Sequence, residues 1–250
     1  NEDIDFMAVD WMECDETIDN YFEQDEYLPK YKREHNKRYI IFCFGVTKEG
    51  HSVCVKIKNY KPYFHVKIPD DWDEEKIKDF EYSFLKNDNI ATEDEEDEFD
   101  ILEEDAQNHN KSWMPKETLQ KMKTKYWKTS FIKSSIKKEK HEIFWTFTNN
   151  QKFKFWKLAF ESKTGSKLYH NYLKEKQHYP ELDKDIKFKL FHSDLEPILK
   201  FFHDSKVKPS SWIKIPKNKF ISKSNLSKCQ INIEVDWSDI TPFDNDVIPP

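Results

Sequence analysis

Glycine is almost missing from this chain, with three residues in 250. That excludes the glycine-built loops that cradle phosphates, and neither G-x-x-x-x-G-K-[ST] nor G-x-G-x-x-G occurs. H-E-x-x-H and G-x-S-x-G are missing as well. Arginine is confined to Arg33 and Arg38, so lysine carries the positive charge. The four cysteines (Cys14, Cys43, Cys54, Cys229) form no C-x-x-C pair. This argues against a zinc or redox pair and for a reducing, intracellular compartment. No run of eighteen apolar residues is present, so no membrane span is expected. The first residues are acidic and lack an apolar stretch, so no secretory signal is expected. The nine histidines are dispersed, mostly in polar stretches, and read as surface or turn residues.

What is there is charge and aromatic rings. Charged residues make up 35% and apolar ones 37%, so aromatics, at 16%, must carry much of the core. A chain of 250 residues can bury one large core or two small ones. Gly45 and Gly50 both fall in the stretch from Phe44 to Pro69. There a turn, Thr47-Lys48-Glu49-Gly50, separates Ile40, Phe42 and Phe44 from Val53, Val55 and Ile57. The alternation predicts a β-hairpin whose buried face carries those six residues. Pro62-Tyr63-Phe64 then opens a third strand. Cys43 and Cys54 lie in these runs and read as small core residues.

The net charge of −6 hides strong segregation. Glu93 to Asp105 is an acidic tract and reads as a solvated loop; the alternative is a DNA mimic or a docking strip for a basic partner. Lys111 to Lys140 follows, with ten lysines against two acids. Leu119, Met122, Tyr126 and Trp127 predict a short amphipathic helix there with a basic face.

From Glu142 the pattern changes. Ile143 to Phe147 reads as a strand, Thr148 to Gln151 as a turn, and Phe153, Phe155, Trp156, Leu158 and Phe160 as a second strand. A helix over Ser166 to Lys176, a short strand over Phe188 to Phe191 and a helix over Leu195 to His203 follow. Trp212 to Ile215 and Ile231 to Trp237 close the chain as strands. This order predicts an α+β fold with an antiparallel sheet and helices on one face, similar to a ferredoxin-like or RNA-recognition-like layer. Glu234 and Asp236 sit two apart on the last strand and could share a divalent metal. The plainer reading is the polar face of an edge strand, with Ile231, Ile233, Val235 and Trp237 inward.

The run FGVTKEGHSVC (44–54), followed by Pro62-Tyr63-Phe64-His65-Val66, resembles the amino-terminal domain of family B DNA polymerases. The likeness is to the delta-type enzymes, whose hairpin carries F-G-V-T-x-E-G-x-S-V-C and then P-Y-F-Y-V. Lys137 to Phe160 is similar to the next family segment. Phe201 to Ile215, with Trp212 at the family's tryptophan, and Cys229 to Ile240, with Trp237, follow in the family's order. The acidic tract and the lysine-rich segment depart from the pattern and look like an insertion. No D-I-E, D-T-D or K-x-x-x-N-S-x-Y-G motif occurs, so a domain without its own catalytic centre is expected.

The resemblance implies an OB-like β-unit over 1–92, the insertion over 93–140, an RNA-recognition-like part over 141–228, and a closing strand and linker over 229–250. Gly45, Gly50, Pro62, Tyr63, Phe64, Trp212 and Trp237 would be structural motif residues. The parent would extend primers with Mg2+ and proofread 3′→5′, while this part scaffolds the polymerase beside its exonuclease and palm domains. A sliding clamp is a further implied partner, and the host nucleus or a cytoplasmic viral factory the implied location. Single-stranded template would be met by Trp145, Lys152, Lys154 and Trp156, because rings and lysines alternate there. The alternative is a purely structural or partner-docking platform, which the negative net charge favours. Trp11 and Pro62 fall where archaeal relatives sense template uracil, and a tryptophan would crowd that pocket, so no uracil sensing is expected. Composition and insertion together point to a large DNA virus as source.

Overall fold

The computed structural model describes residues 3–17, 37–86, 137–142, 151–179 and 184–243. The chain divides into two units that interleave along the sequence. The first takes Asn1–Tyr63, Phe160–Ser166 and His192–Pro250; the second takes Phe64–Ala159 and Lys167–Phe191. Neither unit is a contiguous stretch such as 1–92 or 141–228. The acidic tract at 93–105, the helix expected around Leu119 to Trp127 and the strand expected at Ile143 to Phe147 lie outside the described residues.

The first unit is built on a seven-stranded sheet. Its strands in chain order are β1 (Ile4–Thr17), β2 (Lys37–Thr47), β3 (Ser52–Lys58), β10 (Trp212–Ile215), β11 (Phe220–Ser222), β12 (Ile231–Asp236) and β13 (Thr241–Pro242). Their order across the sheet is β11-β12-β3-β2-β1-β10-β13. The expected hairpin is β2–β3: Gly50 holds φ 85 and its N–H donates to the Thr47 carbonyl at 3.1 Å. On β2 the inward set is displaced by one position from the expected one, although Ile40 is itself buried. Ile41 pairs with Ile57 and Cys43 with Val55, and these are buried, whereas Phe42 and Phe44 are half-buried on the other face. Both faces of β2 carry apolar residues, so alternation alone could not choose between them.

Gly45 has a steric reason. A Cβ there would run into the Met7 carbonyl and the Phe6 ring. The β1–β2 register shifts between Ala8 and Asp10, beside that close approach, leaving Val9 as an exposed bulge residue. Strand β12 pairs in parallel with β3 and antiparallel with β11, so it is internal, not an edge strand. The strand at Trp212–Ile215 does not extend the layer that begins near Glu142. It pairs with β1, Ile215 against Ile4. Helix α3 (Pro197–Ser205) starts on a proline, which suits its first turn, and ends at Lys206 in the left-handed region. It delivers Phe201 to the core.

The second unit has a four-stranded sheet of β4 (Tyr63–Lys67), β5 (Lys137–Glu142), β6 (Lys152–Ala159) and β9 (Leu190–Phe191), in the order β5-β6-β4-β9. Residues Lys137 to Glu142, part of the segment from Lys137 to Phe160, are strand, because their backbone pairs with β6 from Lys137↔Lys157 to Glu142↔Lys152. Helix α1 (Glu74–Lys86) is capped by the Asp73 carboxylate, which accepts from the Lys76 N–H at 2.8 Å. Ile77 and Phe80, three apart, are buried. Helix α2 (Lys163–Lys174) contributes buried Tyr169 and Leu173 from its later turns. A two-stranded ribbon, β7 (Gln177–Tyr179) with β8 (Lys184–Ile186), completes the unit.

Candidate functional site

Within the first unit, Glu234, Asp236, Asp15 and Glu13 are committed to structural partners. Glu234 is 9% exposed, and Lys58 Nζ reaches its Oε1 at 2.6 Å. Burial would raise the Glu234 carboxyl, but the bond from Lys58, with Lys223 and Lys56 nearby, holds it below its usual value. Asp236 accepts from Asn59 Nδ2 at 2.7 Å and from the Ser238 N–H at 3.0 Å, which caps the 3-10 turn Trp237–Asp239. Burial pushes its carboxyl up, and these bonds pull it below the usual range. The two carboxylates that sit two apart on this strand are thus an ion pair and a cap.

Two carboxylates of β1 act on helix ends. Asp15 accepts from the N–H groups of Lys163 and Thr164, both at 2.8 Å, and from Thr164 Oγ1 at 2.6 Å. It caps α2 from a strand far away in sequence. Glu13 accepts from Tyr39 Oη and Lys163 Nζ, and from the Ile198 N–H at 3.2 Å. Burial and Glu13 push the Tyr39 hydroxyl pKa well above its ordinary value.

The motif residues of the hairpin stretch form a packed corner. Pro62 is buried, and its carbonyl accepts from the Phe160 N–H at 2.8 Å. Tyr60 and Tyr63 both donate to Asp204, at 2.9 Å and 3.2 Å. Lys200 Nζ donates to the Tyr63 carbonyl. Trp237 meets Tyr60 edge to face at 5.3 Å, and Trp212 is 4% exposed. Phe64 is fully buried in the second unit. Trp11 packs edge to face on Phe202 at 5.0 Å and donates Nε1 to the Pro209 carbonyl at 2.8 Å.

The residues expected to meet DNA divide. Trp145 lies outside the described residues. Trp156 is 2% exposed, stacks on Phe80 at 5.0 Å and donates Nε1 to Glu81 at 2.7 Å. Its faces are covered, so it is a core ring and not a stacking platform for a base. Lys152 is exposed, and Lys154 reaches Glu74 at 2.7 Å from a side chain 44% exposed. Register brings Lys140 opposite Lys154 and Lys138 opposite Trp156, so Lys138, Lys140, Lys152 and Lys154 crowd one small patch of the β5–β6 pair. Sequence reasoning missed Lys138 and Lys140. Their period-two spacing in KKEKHE was the available signal.

On the other face of β5, Glu139 and His141 converge with His65 of β4. This is the one group with metal-ligand spacing among the described residues. His65, expected at the surface, is 9% exposed. Cys43 and Cys54 are fully buried, as small core residues should be.

Comparison with known proteins finds similarity to DNA polymerases. The profile of "DNA polymerase family B, exonuclease domain" matches residues 188–250. The DNA polymerase of Acanthamoeba polyphaga mimivirus is 27% identical over 96% of this chain, and that of Pyramimonas orientalis virus 28% over 98%. The chain is similar to these DNA polymerases over nearly its whole length. A DNA polymerase delta catalytic subunit, from Candida albicans, is 25% identical over 79% of the chain. The structure of the family B DNA polymerase from the archaeon Pyrobaculum calidifontis shares the fold, with a TM-score of 0.52 over 99% of this chain at 12% identity. The chain spans 12% and 16% of the two viral relatives and 21% of that archaeal structure. No helix among the described residues is long and apolar enough to cross a membrane.

Proposed function

We propose that the chain is the amino-terminal, non-catalytic module of a replicative DNA-directed DNA polymerase. In that reading the parent adds deoxynucleotides to a primer with Mg2+ and proofreads 3′→5′. The module scaffolds its exonuclease and palm domains, steers single-stranded template, and serves in a viral replication compartment. The sheet of the first unit plays the OB-like part and that of the second the RNA-recognition-like part. The observation that carries the reading is relatedness to viral DNA polymerases along 96–98% of the chain. The lysine patch on β5–β6 supports template contact through phosphates, with Lys140 and Lys152 exposed.

A second reading has its own support, since the matching profile is that of an exonuclease domain. It would make Glu234 a metal ligand, and the Lys58 ion pair weighs against that. One experiment separates the readings: titrate a labelled single-stranded oligonucleotide with the chain at low and at moderate salt, then add Mg2+ or Mn2+. The proposal expects binding that weakens with salt and with Lys152→Ala plus Lys154→Ala, and no shortening of the strand. Metal-dependent shortening lost on Glu234→Ala would establish the exonuclease reading. No binding even at low salt would leave a structural platform.

A further inference from the structure

Strand β5 reads Lys-Lys-Glu-Lys-His-Glu and brings no apolar residue of its own, yet it is held at the end of the second unit's sheet. Glu139 and His141 lie two apart on it and so share a face. His65 lies on β4, with β6 between the two strands. His65 Nε2 stands 3.1 Å, and His141 Nε2 2.8 Å, from the same Oε2 of Glu139. All three donor atoms fall within 4.8 Å of one another. The two imidazoles meet edge to face at 5.3 Å, and the buried Phe155 ring lies 6.4 Å and 5.8 Å from them.

We infer that His65 Nε2, the Glu139 carboxylate and His141 Nε2 form a Zn2+ site that ties β5 to β4 across β6. Two imidazoles and a carboxylate are a donor set that suits this borderline ion. Bonds of about 2.0–2.2 Å in a tetrahedron need donors about 3.4 Å apart, so the His65–Glu139 and His141–Glu139 pairs, at 3.1 Å and 2.8 Å, need open only slightly. The His141 side chain is 51% exposed, which leaves the fourth position open to water. A metal tie would add a side-chain link to β4 beside the backbone pairing with β6. His65 stands where the family pattern P-Y-F-Y-V has tyrosine, so the site departs from that pattern.

The test uses the whole chain, stripped with a chelator, desalted and titrated with ZnCl2 by calorimetry. One equivalent should bind and raise the melting temperature, and Co2+ in its place should give the intense visible bands of a tetrahedral site. His141→Ala, at a half-exposed position that should not disturb folding, and Glu139→Gln should each weaken binding by at least about tenfold. Failure to bind one equivalent would overturn the site. So would binding that survives both substitutions, which would place the metal on other donors.

Discussion

At the centre of the first unit lie Ile41, Val53, Val55, Ile57, Ile213 and Ile233, each no more than 1% exposed. At the centre of the second lie Trp72, Phe80, Trp156 and Phe188. The aliphatic core is assembled by strand register, one side chain opposite another, and its stability is spread over many small contributions. In the aromatic core Trp156 touches three rings at once, Phe80 at 5.0 Å, Trp72 at 6.0 Å and Phe188 at 6.1 Å. Stability there is concentrated. The first unit also has rings, but its tyrosines are tied to carboxylates: Tyr39 to Glu13 and Tyr60 to Asp204.

The sharpest way to break that contrast is Trp156→Ala. It should cost about 3–5 kcal/mol in chemical denaturation, with amide protection falling in β4 and β6. An effect below about 1 kcal/mol would mean the second core is as distributed as the first. Gly45→Ala tests the bulge of the first unit and should cost about 1–3 kcal/mol, because the added methyl meets backbone that cannot yield. Asp15→Ala removes the cap on α2 and should cost about 1 kcal/mol, read by the same denaturation. Ile57→Val should cost only about 0.5–1.5 kcal/mol, and a larger loss would show that the aliphatic core too has a keystone.

The smallest effect is on pH dependence. The Glu234 carboxyl is depressed in the folded chain, so its contribution is fully present above the unfolded value near 4.5 and is lost as pH falls through the folded value. Glu234→Gln should flatten the stability profile below about pH 4.5, measured by urea unfolding across that range. An unchanged slope would place the acid sensitivity elsewhere, as in Asp236 or Glu139.

Much of the first unit was legible because its signals are local. The Thr47–Gly50 turn, the strands around it, the Trp212 strand and the Ile231 strand all fell where alternation placed them. Helix α3 and the strand from Lys152 did as well. Helix α1 went unread although Asp73, Glu74 and Glu75 mark its start. Strand β5 could not be read from apolar periodicity, since pairing with β6 and not a buried face makes it a strand. For the candidate sites, Lys152 and Lys154 were found as a pattern, while core packing was already the plainer role for a ring such as Trp156; pattern alone could not decide, because a ring between lysines reads the same in a groove and in a core. The convergence of His65 with Glu139 spans 74 positions and left no local trace.

The sequence by itself determined what depends on near neighbours. It determined the glycine-dependent turn, strands with apolar residues at period two, and the ordered motifs that tie the chain to family B polymerases. The physical reason is that steric limits on φ and ψ and the two-residue repeat of a strand act within a few positions. Only the tertiary structure decided which face of β2 turned inward, that Trp212–Ile215 joins β1, and that Glu234 answers Lys58. It also decided that three dispersed residues, His65, Glu139 and His141, stand within ligand distance of one another. Those outcomes depend on which buried surfaces and charges find each other across the folded chain, a choice made by total burial and charge compensation and not by any local rule.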